Sequence, residues 1–325
     1  MANRRVRKPY SLVCCIAAAI WLLFVQLPTA HAGFLSAGAD QFAVLGQFSS
    51  SVQTNYNNGT ITGNVGIGSD RDFTISNASL IGNLRFSGNS SYSGISGPPP
   101  SGPFTVSGGG AFTGSIITND SVVSAALNAM NSLSQTLGGE AGTSTTITNG
   151  GSINAANGVL DASGNRVFTA SVNFANGIFT VNGSASDYVV LNIGSNANLH
   201  GQILLAGGIT SDHVLINVFG GNYTTHTGGP SLDVNTNGLQ TFGIFLDPNG
   251  QMSANETDIQ GRFFGGSANH NQQIVSGFNI TAPLSPPDVS GVPAPPAFLL
   301  AMSGLLPLGL AALRRWRRQL MGSFS

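Results

Sequence analysis

Apolar residues come along this chain in short bursts. Brief runs of Val, Ile, Leu and Phe are separated by Asn-Gly, Ser-Gly and Gly-Gly pairs, the pattern of short strands joined by tight turns. It predicts strands over residues 42–45, 63–68, 73–75, 80–86, 115–117, 166–174, 177–181, 188–193, 202–205, 214–219, 242–246 and 258–264. One segment breaks the rhythm. Val123, Leu127, Met130, Leu133 and Leu137 recur at three- and four-residue spacing, which predicts one amphipathic helix. Thr118-Asn119-Asp120 supplies its N-cap and Gly138-Gly139 its end. The polar side of that helix carries no Lys or Arg, so it is expected to pack on the flank of a β-domain and not on anionic lipid.

Short strands at this spacing suit a sandwich, a barrel or a solenoid equally. A recurring triplet favours the solenoid. Gly63-Asn64-Val65, Gly82-Asn83-Leu84, Gly114-Ser115-Ile116, Gly201-Gln202-Ile203 and Gly261-Arg262-Phe263 each place a turn residue, a polar residue and an apolar one in that order. The first two lie nineteen residues apart, about one coil of a parallel β-helix. The expected fold is mainly β, an irregular right-handed β-solenoid with one flanking helix.

Two long apolar segments stand outside this pattern, one at each end. Arg4, Arg5, Arg7 and Lys8 precede an apolar stretch over residues 11–27, and Ala30-His31-Ala32 follows it. This is the anatomy of a secretory signal peptide cleaved by signal peptidase, so the mature chain is expected to begin at Gly33. An uncleaved signal anchor is the alternative. At the other end, residues 283–291 form a proline-rich linker. Val292-Pro293-Ala294-Pro295-Pro296 comes next, followed by an apolar run over residues 297–313 and by Arg314, Arg315, Trp316, Arg317 and Arg318. As a helix the run rises roughly 25 Å, marginal for a hydrocarbon core of about 30 Å. The terminal arginines favour the cytoplasm, which leaves the β-rich body, residues 33–282, on the outside.

Removing both ends changes the charge. The whole chain is near neutral, but between the two end signals only Arg71, Arg85, Arg166 and Arg262 stand against all thirteen acidic residues, about −9. A body with no lysine is not built to neutralise phosphates, which argues against nucleic acid as a partner. It also lacks cysteine, Cys14 and Cys15 both lying in the signal segment. Burial and backbone hydrogen bonds must therefore hold the exported domain together.

The tail resembles the PEP-CTERM sorting signal of Gram-negative bacteria. Val292, Pro293 and Pro295 match its proline motif, while Ala294 stands where a glutamate is usual and leaves the cleavage position open. The resemblance implies an inner-membrane intermediate, processing by an exosortase-type membrane protease, and delivery to the cell surface or extracellular matrix. A permanent tail anchor is the alternative. The body is similar to the choice-of-anchor A family at Phe42-Ala43-Val44-Leu45-Gly46, Leu133-Ser134-Gln135-Thr136-Leu137, Leu215-Ile216-Asn217-Val218, Leu246-Asp247-Pro248-Asn249-Gly250 and Ile259-Gln260-Gly261-Arg262-Phe263. That similarity implies a surface or matrix protein and supplies no catalytic residues. Its order of strands, helix and β-rich second half is also similar to the ice-binding-like adhesin fold. Ice binding needs ranks of threonine, and Thr60-Ile61-Thr62 and Thr145-Thr146-Ile147-Thr148 do not recur at coil spacing in the sequence.

No nucleophile elbow, zinc helix, P-loop or dinucleotide fingerprint occurs. His200, His213, His226 and His270 stand apart and read as loop or strand-edge histidines, and Asp212 with His213 on a strand would face opposite ways. Asp247-Pro248-Asn249-Gly250 reads as a β-turn with glycine at positive φ. Asp70 with Asp72, and Glu256 with Asp258, offer oxygen ligands that suit calcium, without EF-hand spacing. The function expected is a non-enzymatic surface or matrix protein in adhesion or biofilm, associated with exopolysaccharide or a surface glycan. An ice-binding-like adhesin and an extracellular glycan-acting enzyme are the alternatives. Intact-mass analysis of protein from medium, surface wash and membranes is expected to show loss of residues 1–32 and of the segment beyond the proline motif. A membrane-bound product that retains the C-terminal segment would make the tail an anchor.

Overall fold

The computed structural model describes residues 33–47, 54–68, 73–88, 92–93, 104–105, 111–270 and 272–283. The signal peptide, Asp70, Asp72, the 98–103 loop and the tail beyond residue 283 lie outside them. The strand Thr54–Thr62 shows the plan. Its first half pairs in parallel with Phe73–Ser76 and its second half with Ser79–Ile81, and Asn64–Ile67, which follows it, pairs in parallel with Leu84–Phe86. Repetition of this three-sided turn, each strand in register with its equivalent in the next turn, makes a parallel β-solenoid with one helix on its flank.

The three sides differ in what they bury. On the first, Phe42–Gly46, Val189–Ile193 and Val214–Val218 are buried at every position, as strands covered on both faces must be. Val189, Leu191, Ile193, Val214, Ile216 and Val218 point into the solenoid interior. Leu45, Val190, Leu215, Ile244, Leu246 and Phe264 point outward into a second apolar layer with Val123, Ala126, Leu127, Met130 and Leu137. Those five belong to the helix α1, Ser121–Gly138, whose first N–H groups are capped by Asp120, its Oδ1 accepting from Val122 at 2.9 Å. The same layer holds a polar cross-link. Ser134 Oγ donates to Asn217 Oδ1 at 2.6 Å, Asn217 Nδ2 to Asn192 Oδ1 at 2.8 Å, and Asn192 Nδ2 to the Leu137 carbonyl, so the exposed end carbonyls of α1 are satisfied by two stacked strands.

The other two sides alternate inward apolar and outward polar residues, as in Leu232–Asn235 and Met252–Asn255. These polar-rich strands, with Thr54–Thr62, Thr143–Thr148, Ser152–Asn154 and Gln272–Thr281, were not among the runs predicted, because each contributes only one to three apolar side chains to the interior. Two predicted boundaries also differ. Residues 80–86 divide into Ser79–Ile81 and Leu84–Phe86, because Gly82 turns the corner with φ +150 and no room for a side chain. Residues 166–174 and 177–181 join instead into one bent strand, Arg166–Asn182. The Gly-polar-apolar echo marks such corners. Asn64 Oδ1 accepts from Asn83 N and Asn83 Oδ1 from Ser115 N, both at 2.9 Å, so three of the triplets stack as a ladder.

Chain order and stacking order part company at one coil. Gln272–Thr281 supplies two sides of it, and Phe42–Gly46, from the other end of the domain, supplies the third. That strand lies between Asp258–Gly265 below and Asn64–Ile67 above. Arg262, fully buried, fixes this seam. It donates to both carboxylate oxygens of Asp212 at 2.9 and 3.1 Å, to the Asp40 carbonyl at 2.8 Å and to the Phe42 carbonyl. Asp212 and His213 lie just ahead of the strand Val214–Val218, in the short 3-10 turn Ser211–His213. Arg262→Ala is expected to destabilise the domain by about 3 kcal/mol, since it strands a carboxylate and buried carbonyls together. Chemical denaturation of wild type and variant reads this directly, and a change below about 1 kcal/mol would mean that the seam does not depend on the guanidinium.

Candidate functional site

The exposed polar surface is most regular at the end of the solenoid farthest from the N-terminal coils. Thr143–Thr148 is the last strand of one side and pairs with residues 168–173 in the register Ser144↔Thr169, Thr146↔Ser171 and Thr148↔Asn173. All six of these side chains face outward, because Ile147, Phe168 and Ala170 take the alternate, inward positions. The result is two ranks of three uncharged groups, about 4.8 Å apart across the strands and about 7 Å along them. Thr146 Oγ1 lies 3.1 Å from Ser171 Oγ. A shallow trough of about 360 Å³ lies along the ranks. Thr148, singled out in the sequence, thus has a spatial neighbour in Asn173 that linear spacing conceals. Thr62 does likewise, since it pairs with Thr281 two hundred residues away.

Around the edge of the same coil runs a larger groove of about 760 Å³. Ser152–Asn154 forms its rim, pairing with Thr180, Val181 and Asn182 of the strand above. Hydroxyls of Thr143 and Thr180, amides of Asn154 and Asn182, and apolar surface from Phe168 and Ile178 meet there, and among the described residues no ionisable side chain lines it. Asn154 also accepts from Ala156 N at 3.0 Å, and Thr143 Oγ1 donates to the Asn157 carbonyl at 2.7 Å, which holds residues 155–157 against the rim.

The histidines are dispersed. His200 Nε2 lies 2.8 Å from Asp233 Oδ2, and Ser253 Oγ donates to the other carboxylate oxygen. This chain has serine, aspartate and histidine in contact but in the wrong order for a nucleophile. The carboxylate sits between the other two, so the imidazole cannot take the serine proton. His213 stacks on Tyr188 with ring centroids 4.0 Å apart. His270 Nδ1 lies 3.1 Å from Ser267 Oγ. His226 sits in the left-handed region, and burial holds its imidazole below the usual range against a hydrogen bond that it donates to Asn249. Among the described residues no three His, Cys, Asp or Glu side chains converge as a metal site. Of the calcium candidates, Glu256 is exposed in a turn and Asp258 accepts from Gln260 at 2.8 Å.

Asp247-Pro248-Asn249-Gly250 does turn the chain, but it is buried. Asp247 Oδ1 accepts from Asn249 N at 3.3 Å and from Gly250 N at 2.8 Å. Gly250 is not at positive φ as expected; glycine is required because a Cβ would come within 1.6 Å of the Pro230 carbonyl. Burial pushes the Asp247 carboxyl well above its usual range, against the pull of the two N–H groups. The folded state therefore holds a proton that the unfolded chain releases near pH 4, and stability falls as pH rises from there toward the folded pKa. Asp247→Asn keeps an acceptor for both N–H groups and removes the ionisation. Its melting temperature is expected to exceed that of wild type at pH 7.5, with the gap closing by about pH 4. A constant gap across that range would sink this account.

No family model matches the chain, and no curated protein does. Several solved structures are similar in part. An ice-binding protein from the Antarctic ascomycete Antarctomyces psychrotrophicus is 17% identical over 78% of this chain and 100% of its own, with a TM-score of 0.48. A glycosylated ice-binding protein, LeIBP, from Arctic yeast is 15% identical over 81% and 99%, TM-score 0.48. The DUF3494 domain of Shewanella frigidimarina ice-binding protein 1 is 15% identical over 77% and 97%, TM-score 0.48.

Proposed function

We propose that this is an exported, non-enzymatic surface protein that uses a rigid polar sheet surface to hold an extended, uncharged ligand of the cell surface or extracellular matrix. The observation that carries it is the double rank of Ser144, Thr146 and Thr148 over Thr169, Ser171 and Asn173, fixed in spacing by backbone pairing. Side chains on adjoining strands need no reorganisation to meet a repeating partner, so little ordering cost opposes binding. The signal segment and the basic-ended tail support export and sorting to the surface, with signal peptidase and an exosortase-type protease as processing partners. Adhesion or biofilm assembly is the role that follows.

Ice is the second reading. The same array favours it, because matched hydroxyl groups repeat in two dimensions on a stiff support. The two readings separate in one set of assays on the full chain. Under the first, the protein co-sediments with exopolymer from its own host, and Thr146→Lys, which places a charge in the array, weakens this at least tenfold. Under the second, the protein shapes ice crystals and shows thermal hysteresis that the same substitution abolishes. Neither co-sedimentation nor hysteresis with wild type would remove both.

A further inference from the structure

The geometry points to the groove at the end of the solenoid as a binding site for a neutral oligosaccharide. This rests on the surface-binding reading and gives it a ligand class and a place. The groove, at about 760 Å³, falls within the size of small-molecule sites. Its chemistry is selective. Ser152 pairs with Thr180 and Asn154 with Asn182 across adjacent strands, so two hydroxyls and two amides form a square patch. Amides and hydroxyls both donate and accept, which matches the mixed demands of sugar hydroxyls and leaves no fixed charge to be compensated. Beside the patch lie Phe168 and the exposed Ile178, apolar surface for the C–H face of a pyranose ring.

The backbone adds to the patch. Thr143–Thr148 and Ser152–Asn154 form the terminal coil, and among the described residues each pairs only with the coil above. The outer edge of each therefore presents main-chain N–H and C=O groups to whatever enters the groove. An acidic sugar fits poorly. Among the described residues the lining offers no cation, and the chain between the two end signals carries about −9, so a carboxylated or sulfated chain meets repulsion without a compensating contact.

The test is an array of neutral and acidic oligosaccharides probed with the full chain, with affinities of the best ligands measured by titration calorimetry. Thr180→Val and Asn182→Ala are expected to weaken a neutral ligand about tenfold each, the effect of one lost hydrogen bond. Asn198→Ala, exposed on the strand Ala197–Ala206 and outside both the groove and the sheet-face array, is expected to leave the affinity unchanged. Ser152→Ala serves if either of the first two melts early. Silence toward neutral sugars, or a preference for acidic ones, overturns the assignment. So does equal affinity in wild type, Asn182→Ala and Ser152→Ala. Binding lost with Thr146→Val but kept with Asn182→Ala moves the ligand to the sheet face, which ends the groove assignment and leaves the surface-binding reading standing. Loss of that reading itself is seen separately, as failure of the wild type to co-sediment with host exopolymer.

Discussion

The coil shared between the two ends of the domain governs the rest of the architecture. Gln272–Thr281 lays two of its sides and then the chain leaves; only Phe42–Gly46 completes the third. Without that strand the upper coils have no floor on the helix side and the lower coils no roof. Arg262 matters here because it serves both partners at once, taking its counter-charge from Asp212 below and handing its remaining donors to the carbonyls of Asp40 and Phe42. Gln272 repeats the device in neutral form. Its amide donates to the Leu45 carbonyl at 3.0 Å while Tyr56 donates to its oxygen at 3.0 Å. A polar side chain at each joint gives the seam a definite register that apolar contact alone would leave loose.

Helix α1 follows from the same topology. The upper coils finish near Ile117 and the next strand of the stack, Thr143–Thr148, lies at the opposite end. Eighteen residues of helix cover about 27 Å, enough to carry the chain back past the stacked strands. In doing so they bury the side of the solenoid whose outward residues are apolar. Arg85 secures the start of this return path through Asp120, where burial raises the carboxyl and the guanidinium, the Val122 N–H and the nearby positive charge outweigh it. The remaining two sides are free of structural duty on their outer surface, which is why Thr, Ser, Asn and Gln accumulate there.

What could be seen in the sequence was whatever leaves a periodic or punctuated trace. The helix did, through five apolar residues on one stripe, and so did the doubly buried strands such as Val214–Val218, whose side chains are all apolar except Asn217. The corners left a fainter trace in the glycine triplets. The half-buried strands left little, because a segment such as Thr143–Thr148 puts a single strongly apolar residue, Ile147, into the core. One half of the array and of the groove was therefore hidden in strands without a hydrophobic signature, and both were hidden in pairings such as Thr146 with Ser171 that join separate strands. The ion pair of Asp212 was hidden for a related reason. Its partner Arg262 lies fifty residues away, so neighbouring residues carried no hint of it.

The shared coil also sets the order in which the molecule can assemble. Phe42–Gly46 is among the first segments to emerge from any vectorial process, synthesis or translocation, yet its neighbour Asp258–Gly265 is among the last. Until then only one of its edges has a partner, Asn64–Ile67, and the other stays open. Within the early and the late coils alike each new strand finds its partner within some twenty-five residues, and the early coils must wait to be joined to the late ones. Ordering of this kind places the chain among slow folders with exposed intermediates. A chain that cannot close before Asp258–Gly265 has arrived stays threadable through a membrane pore.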